Sequence, residues 1–216
     1  MSCDLIPLVL TLKLAMITTA ILLVVGIPLS YWIAFTKNRF KYPIEALVSM
    51  PLVLPPTVIG FYLLILLSSK WMAPFQMAFS FTGLVIGSVI FSLPFMVNPL
   101  KAGFQNIPQA LMDASETLGK SRRETLWRVL LPNIKPALLT GTVMAFAHTI
   151  GEFGVVLMLG GNIPGETRTA SIAIFSEVEA LNYQTANFYA LVMVIISFSI
   201  LLALYWANRK HIRTSF

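Results

Sequence analysis

The sequence predicts an all-α integral membrane protein of about five transmembrane helices with a cytoplasmic helix-turn-helix. Three observations carry this. Of the 216 residues, 57% are hydrophobic and only 11% charged, where a soluble domain averages roughly 25% charged. Long uncharged stretches recur along the chain. The Lys and Arg residues fall almost wholly between alternate stretches, as in cytoplasmic segments of membrane proteins. So few ionisable groups cannot build the polar shell of a soluble domain, and the composition equally excludes a disordered chain. The net charge of +6 therefore belongs to membrane-flanking segments and not to a nucleic-acid surface. The lone Cys3 can form neither an intrachain disulfide nor a metal cage.

The spans follow in order. Residues 14–35 contain no ionisable side chain and are long enough to cross the hydrocarbon core as a helix. The run exceeds the roughly 7–15 apolar residues of a signal-peptide core, so a cleaved leader is not expected. Residues 46–69 form the second span, a kinked helix whose first half must be bent or broken by Pro51, Pro55 and Pro56. The uncharged stretch Trp71 to Leu100 is longer than one crossing, with Pro74 early and Pro94 and Pro99 late. The third helix is placed at residues 82–97, preceded by an outer loop. Residues 136–159 make the fourth span, apolar apart from His148 and Glu152, and residues 188–207 the fifth.

Counting basic residues sets the orientation. One side collects Lys37, Arg39, Lys41, Lys101, Lys120, Arg122, Arg123, Arg128, Lys135, Arg209, Lys210 and Arg213; the other holds Lys13, Lys70 and Arg168. The first group is assigned to the cytoplasm, which puts the N-terminus outside and the C-terminus inside. The loop 101–135 then faces inward and the loop 160–187 outward.

Within the inner loop, Leu111, Ala114, Ser115 and Leu118 recur on one face of a short helix beginning near Pro108. Gly119 supplies a helix-ending position. Ser121-Arg122-Arg123-Glu124 is a capping-box pattern that starts a second helix, with Leu126, Val129 and Leu130 on one face and Pro132 stopping it. On periodicity alone, this is a basic amphipathic element at the inner membrane surface. Gly119-Lys120-Ser121 looks like the end of a phosphate-binding loop, but that pattern requires glycine where Ala114 stands, and no strand precedes it. The chain is not expected to bind ATP or to be an enzyme.

The spacing adds a resemblance. Asp113-Ala114-Ser115, Gly119 after three intervening residues, and Val129-Leu130-Leu131-Pro132 after nine more resemble the cytoplasmic loop of ABC importer permeases, E-A-A-x3-G-x9-I-x-L-P. Asp113, Ser115 and Val129 depart conservatively from that pattern. Pro51 to Gly60, Ile150-Gly-Glu-Phe-Gly154 and Gly161-Asn-Ile-Pro-Gly-Glu-Thr-Arg-Thr169 look like the molybdate branch of the family, with the sulfate permeases as close relatives. The resemblance implies one importer transmembrane domain over residues 1–216, coupled to a separate ATPase through Asp113, Ala114, Ser115, Gly119, Val129, Leu131 and Pro132. It implies an external substrate-binding protein, an oxyanion substrate and a place in the bacterial cytoplasmic membrane. One coupling loop per chain argues for a homodimer, since an ATPase pair offers two docking clefts. The alternatives are a tungstate or sulfate permease of the same family, or a stand-alone secondary transporter; the latter calls for ion-coupling carboxylates in several spans, where only Glu152 is present.

An oxyanion crossing these spans meets no Lys or Arg. Hydroxyls and backbone N–H groups at helix breaks can replace hydration water weakly enough for release. Thr57, Ser88, Ser92, Asn98, Thr149 and Gly151 are the candidate path residues. Glu152 joins them as a structural or gating residue, because a carboxylate repels an anion; His148 lies one turn earlier and is expected to bond to it. Two ligands at that spacing fall short of a metal site, and no cofactor is implied. In the outer loop, Asn162, Pro164, Gly165, Glu166, Thr167 and Arg168 surround a turn, where the resemblance implies docking of the binding protein or closure of a gate.

Overall fold

The computed structural model describes residues 4–69 and 77–212, with side chains described as far as Trp206 in the last helix. Cys3, Lys70, Trp71, Pro74 and Arg213 lie outside the described residues. Among those described, the chain is all helix and turn. Helix α1 spans Ile6–Phe35, α4 Phe81–Gln105 and α11 Tyr183–Ile212. These three are long and apolar enough to cross a bilayer, and two further pairs qualify only when joined across a sharp bend.

The first such pair corrects the second span. In place of one kinked helix over 46–69, α2 covers Lys41–Ser49, a 3-10 turn covers Met50–Leu52, and α3 covers Pro56–Leu67, with a 112° bend between the two arms. Pro51, Pro55 and Pro56 remove three N–H donors within six residues, so no continuous hydrogen-bond ladder can pass through them. Only Val48 of α2 is buried. Helix α3 is about 18 Å long, shorter than a hydrocarbon core.

Helices α1 and α4 are longer than expected from sequence. Helix α1 begins eight residues before the expected Leu14 and carries Pro28 in its interior. Helix α4 runs past the expected Val97 to Gln105, through Pro94 and Pro99. Its extension buries Leu100 and Phe104 completely against Leu22, Leu130 and Ile134, and this packing offsets the missing proline bonds. Lipid tails are as apolar as leucine, so close approach of helices matters more here than exclusion of water. Glycines supply it: a Cβ on Gly60 would lie 2.7 Å from Met158 Cβ, and one on Gly141 3.1 Å from the Met96 carbonyl.

The fourth span is also broken. Helix α8, Lys135–Gly151, ends before Glu152, whose backbone is extended, and α9 resumes at Gly154–Gly160. The expected outer loop 160–187 contains α10, Ala170–Glu179, and the first turn of α11. Ala170, Ile172 and Ala173 are buried, and the Ala170 N–H donates to Thr11 Oγ1 of α1 at 2.8 Å.

Between α4 and α8, the basic loop folds as α5, Gln109–Thr117, a turn, then α6, Arg122–Thr125, a π turn, Leu126–Leu130, and α7, Leu131–Asn133. Pro108 caps α5, Gly119 takes a left-handed φ of 68°, and Ser121 Oγ accepts the Glu124 N–H at 3.2 Å. Pro132 does not itself end the second helix, which stops one residue later at Asn133 and meets α8 at 80°.

Candidate functional site

Two breaks meet to make the first candidate site. Pro56 and Thr57 begin α3, and Gly151 to Gly154 span the break between α8 and α9; these segments line a cleft of about 580 Å³ with Phe91 and His148. Of the predicted path residues, Thr57, Gly151 and Glu152 line it. Ser92 and Thr149 stand directly behind, fully buried or nearly so. Ser92 Oγ lies 3.0 Å from His148 Nδ1 and 2.9 Å from Thr149 Oγ1. Asn98 sits nearly two turns further along α4 and is not part of the cleft.

Sequence spacing misplaced the His148–Glu152 relationship. The i, i+4 rule holds only while the helix continues, and α8 ends at Gly151. His148 bonds to Ser92 instead, with its ring stacked on Phe95 at 3.8 Å between centroids. Glu152 turns inward, 4% exposed, and its carbonyl accepts the Ser171 hydroxyl of α10 at 2.6 Å. Both its carboxyl oxygens are buried without a hydrogen-bond partner, as is Ser88 Oγ of α4.

The second candidate site is the helix pair around Gly119. Ser115 and Leu111 part company here: Ser115 is buried, its hydroxyl 2.6 Å from Thr125 Oγ1 of α6, while Leu111, Ala114 and Leu118 face outward. Leu118 is 75% exposed. Leu130 and Leu131 anchor the second helix in the core, while Val129 is half-buried and Asp113 and Pro132 are exposed. Lys120 and Arg128 both pair with Glu124, at 2.7 and 3.3 Å. The hydrogen bond from Lys120, with the charges of Lys120 and Arg128, holds the Glu124 carboxyl below its ordinary value of 4.5.

The outer turn divides as well. Thr167 is fully buried, its hydroxyl donating to the Gly160 carbonyl at 2.6 Å and accepting the Ile163 N–H at 3.1 Å. It clasps the loop from within and offers no surface. Arg168 pairs with Glu177 of α10 at 2.9 Å, and Asn162 bonds to Ser176. Pro164, Gly165 and Glu166 form the exposed tip.

Comparisons place this geometry among known proteins. The chain is 45% identical over 214 residues to the molybdenum transport system permease protein ModB of Azotobacter vinelandii, covering 95% of each. It is 33% identical to the probable sulfate transport system permease protein cysT of Zygnema circumcarinatum, covering 92% of this chain and 73% of that one. An inward-facing structure of the MetNI methionine ABC transporter superposes with a TM-score of 0.76 over 94% of each chain, at 16% identity, a likeness of fold. The family model described as "Binding-protein-dependent transport system inner membrane component" matches residues 26–213. The chain thus belongs to the family of binding-protein-dependent transport system inner membrane components.

Proposed function

We propose that this chain is the permease subunit of an ATP-driven importer that moves molybdate across the cytoplasmic membrane. The observation that carries the substrate is the 45% identity, end to end, with a molybdenum transport permease. The 33% identity to a sulfate permease makes sulfate the second reading. In the working assembly, two copies of the chain bind two ATPase subunits, and an external binding protein delivers the anion. The N-terminus lies outside and the basic helix pair inside, following the distribution of Lys and Arg.

The exposed Leu111, Ala114 and Leu118 on α5 form the face offered to the ATPase. Gly119 sets the angle between the two helices, and the bonded hydroxyls of Ser115 and Thr125 make them move together. Asp113, Val129, Leu131 and Pro132 complete this element. The cleft at Thr57, Gly151 and Glu152, backed by Ser88, Ser92 and Thr149, is the passage, with Asn98 further along it. Asn162, Pro164, Gly165 and Glu166 meet the binding protein, while Thr167 and Arg168 hold their loop in shape.

The test is ATP hydrolysis by the reconstituted complex with and without molybdate-loaded binding protein. Gly119→Pro and Ala114→Trp are expected to abolish the stimulation while leaving membrane insertion unchanged. Full stimulation in both variants overturns the coupling assignment. Uptake of sulfate in preference to molybdate by the unaltered complex overturns the substrate.

A further inference from the structure

The polar chain behind the cleft fixes where the hydrogens of His148 sit. Thr149 Oγ1 donates its single hydrogen to the Ala145 carbonyl at 2.9 Å. Its contact with Ser92 Oγ at 2.9 Å therefore uses the Ser92 hydrogen. Neither hydroxyl has a hydrogen left for the 3.0 Å contact between Ser92 Oγ and His148 Nδ1, so Nδ1 is the donor there. The other ring nitrogen, Nε2, makes no hydrogen bond among the described residues and is not among the buried unpartnered atoms. His148 lines the cleft, and with Nδ1 turned to Ser92 this is the ring nitrogen left to face it. In the neutral ring this nitrogen is a bare lone pair, which accepts hydrogen bonds and repels an anion.

We infer that His148 is the anion-recognising group of the cleft, and that it holds a tetrahedral oxyanion only after Nε2 has taken up a proton. The inference rests on the transport reading above and names the residue that contacts the anion. The proton comes from water: a hydronium ion gives up H⁺, an N–H bond forms at Nε2, and that N–H donates to an oxygen of the anion. When the anion leaves, the proton returns to water. Each anion held in the cleft is thus accompanied by one proton, which lowers its net charge inside the low-dielectric passage. The face of Phe95 at 3.8 Å and the ring of Phe91 at 4.9 Å hold the imidazole in place.

The groups facing His148 leave no competitor for this role. Helix α4 presents Ser92, Phe91 and Phe95, and α3 presents Pro56 and Thr57. Glu152, the one other titratable residue of the lining, keeps both carboxyl oxygens buried on the side of Ser88. No Lys or Arg lines the cleft. A titrating donor also releases what a permanent buried cation would retain.

The experiment is uptake of labelled molybdate by the reconstituted complex between external pH 6 and 8, in wild type, His148→Gln and His148→Phe. In wild type, the apparent KM is expected to rise at least about fivefold as pH rises, because the donor is lost. Gln keeps a neutral N–H near the Nε2 position, so its KM is expected to stay flat. Phe keeps the stacked ring without nitrogen and is expected to lose about tenfold or more of the uptake at every pH, at equal insertion. Wild-type uptake by the Phe variant, or a Gln profile matching wild type, overturns the inference. If the wild-type complex moves no molybdate at any pH, the transport assignment falls, and the ring is then judged by its ¹⁵N shifts in the purified protein. A free-state signal with the hydrogen on Nδ1 and protonation of Nε2 on adding molybdate support the role; shifts unmoved by saturating molybdate overturn it.

Discussion

Gly154 rests directly on the ring of Pro56, so closely that a Cβ added to the glycine would lie 2.8 Å from Pro56 Cβ. The two residues start the two helices that meet at the cleft, and a proline ring has no rotamer by which to yield. Gly154→Ala is therefore expected to push α3 and α9 apart, costing about 1–3 kcal/mol. Molybdate uptake normalised to inserted protein should fall well below that of the unaltered chain.

The buried hydroxyls of Ser115 and Thr125 stand 2.6 Å apart across the turn at Gly119. Removing either one strands the other, at about 1–3 kcal/mol. Ser115→Ala and Thr125→Val are each expected to destabilise, and the double variant to cost less than the sum of the two. Thermal unfolding of the four proteins closes the cycle; strict additivity would show that the hydroxyls do not act as a pair.

Glu152 carries a buried carboxyl whose oxygens have no partner. Glu152→Gln keeps the shape and supplies an N–H to the unpartnered Ser88, so its stability is expected to match wild type or exceed it by about 1 kcal/mol. Glu152→Ala opens a void beside α4 and is expected to lose about 2 kcal/mol. Unfolding in detergent separates these outcomes. A Gln variant as unstable as Ala would show that the negative charge is held by a group the assembly supplies.

Glu124 is the hub of Lys120 and Arg128 on the exposed helix pair. Its carboxyl titrates below 4.5 in the folded chain, so the network contributes above that value and is lost as pH falls through the lowered one. The difference in thermal stability between wild type and Glu124→Gln is accordingly expected to be steady at neutral pH and to vanish only once pH has fallen through the lowered value. High salt should shrink it as well, because the pairs are at the surface.

The sequence was most legible where structure is local. Pro108 and Gly119 act through their own backbone and Ser121 through a hydroxyl bonded three residues on, and the helix pair they delimit stands where their spacing put it. Legibility failed where a distant element decided the outcome. Residues 46–69 read as one kinked span because each proline alone bends a helix, but three close together break it. Helix α10 was hidden in a presumed loop because its burial depends on Thr11, 159 positions away. The break at Glu152 carries no proline, so His148 was assigned to the wrong partner. Its true one, Ser92, lies 56 residues back on α4.

The π turn at Leu126–Leu130 has a consequence for how this loop can vary. The Leu131 N–H reaches back five residues, to the Leu126 carbonyl, so the turn holds one residue more than α winding accommodates. Excising one residue there would let the helix rewind to α geometry, and because the wide turn already absorbs its extra residue, everything before it would keep nearly the same direction about the axis. Thr125 would then still face Ser115. The turn thus behaves like a spare link in a drive chain: the segment can shorten there by one residue without turning the two helices apart.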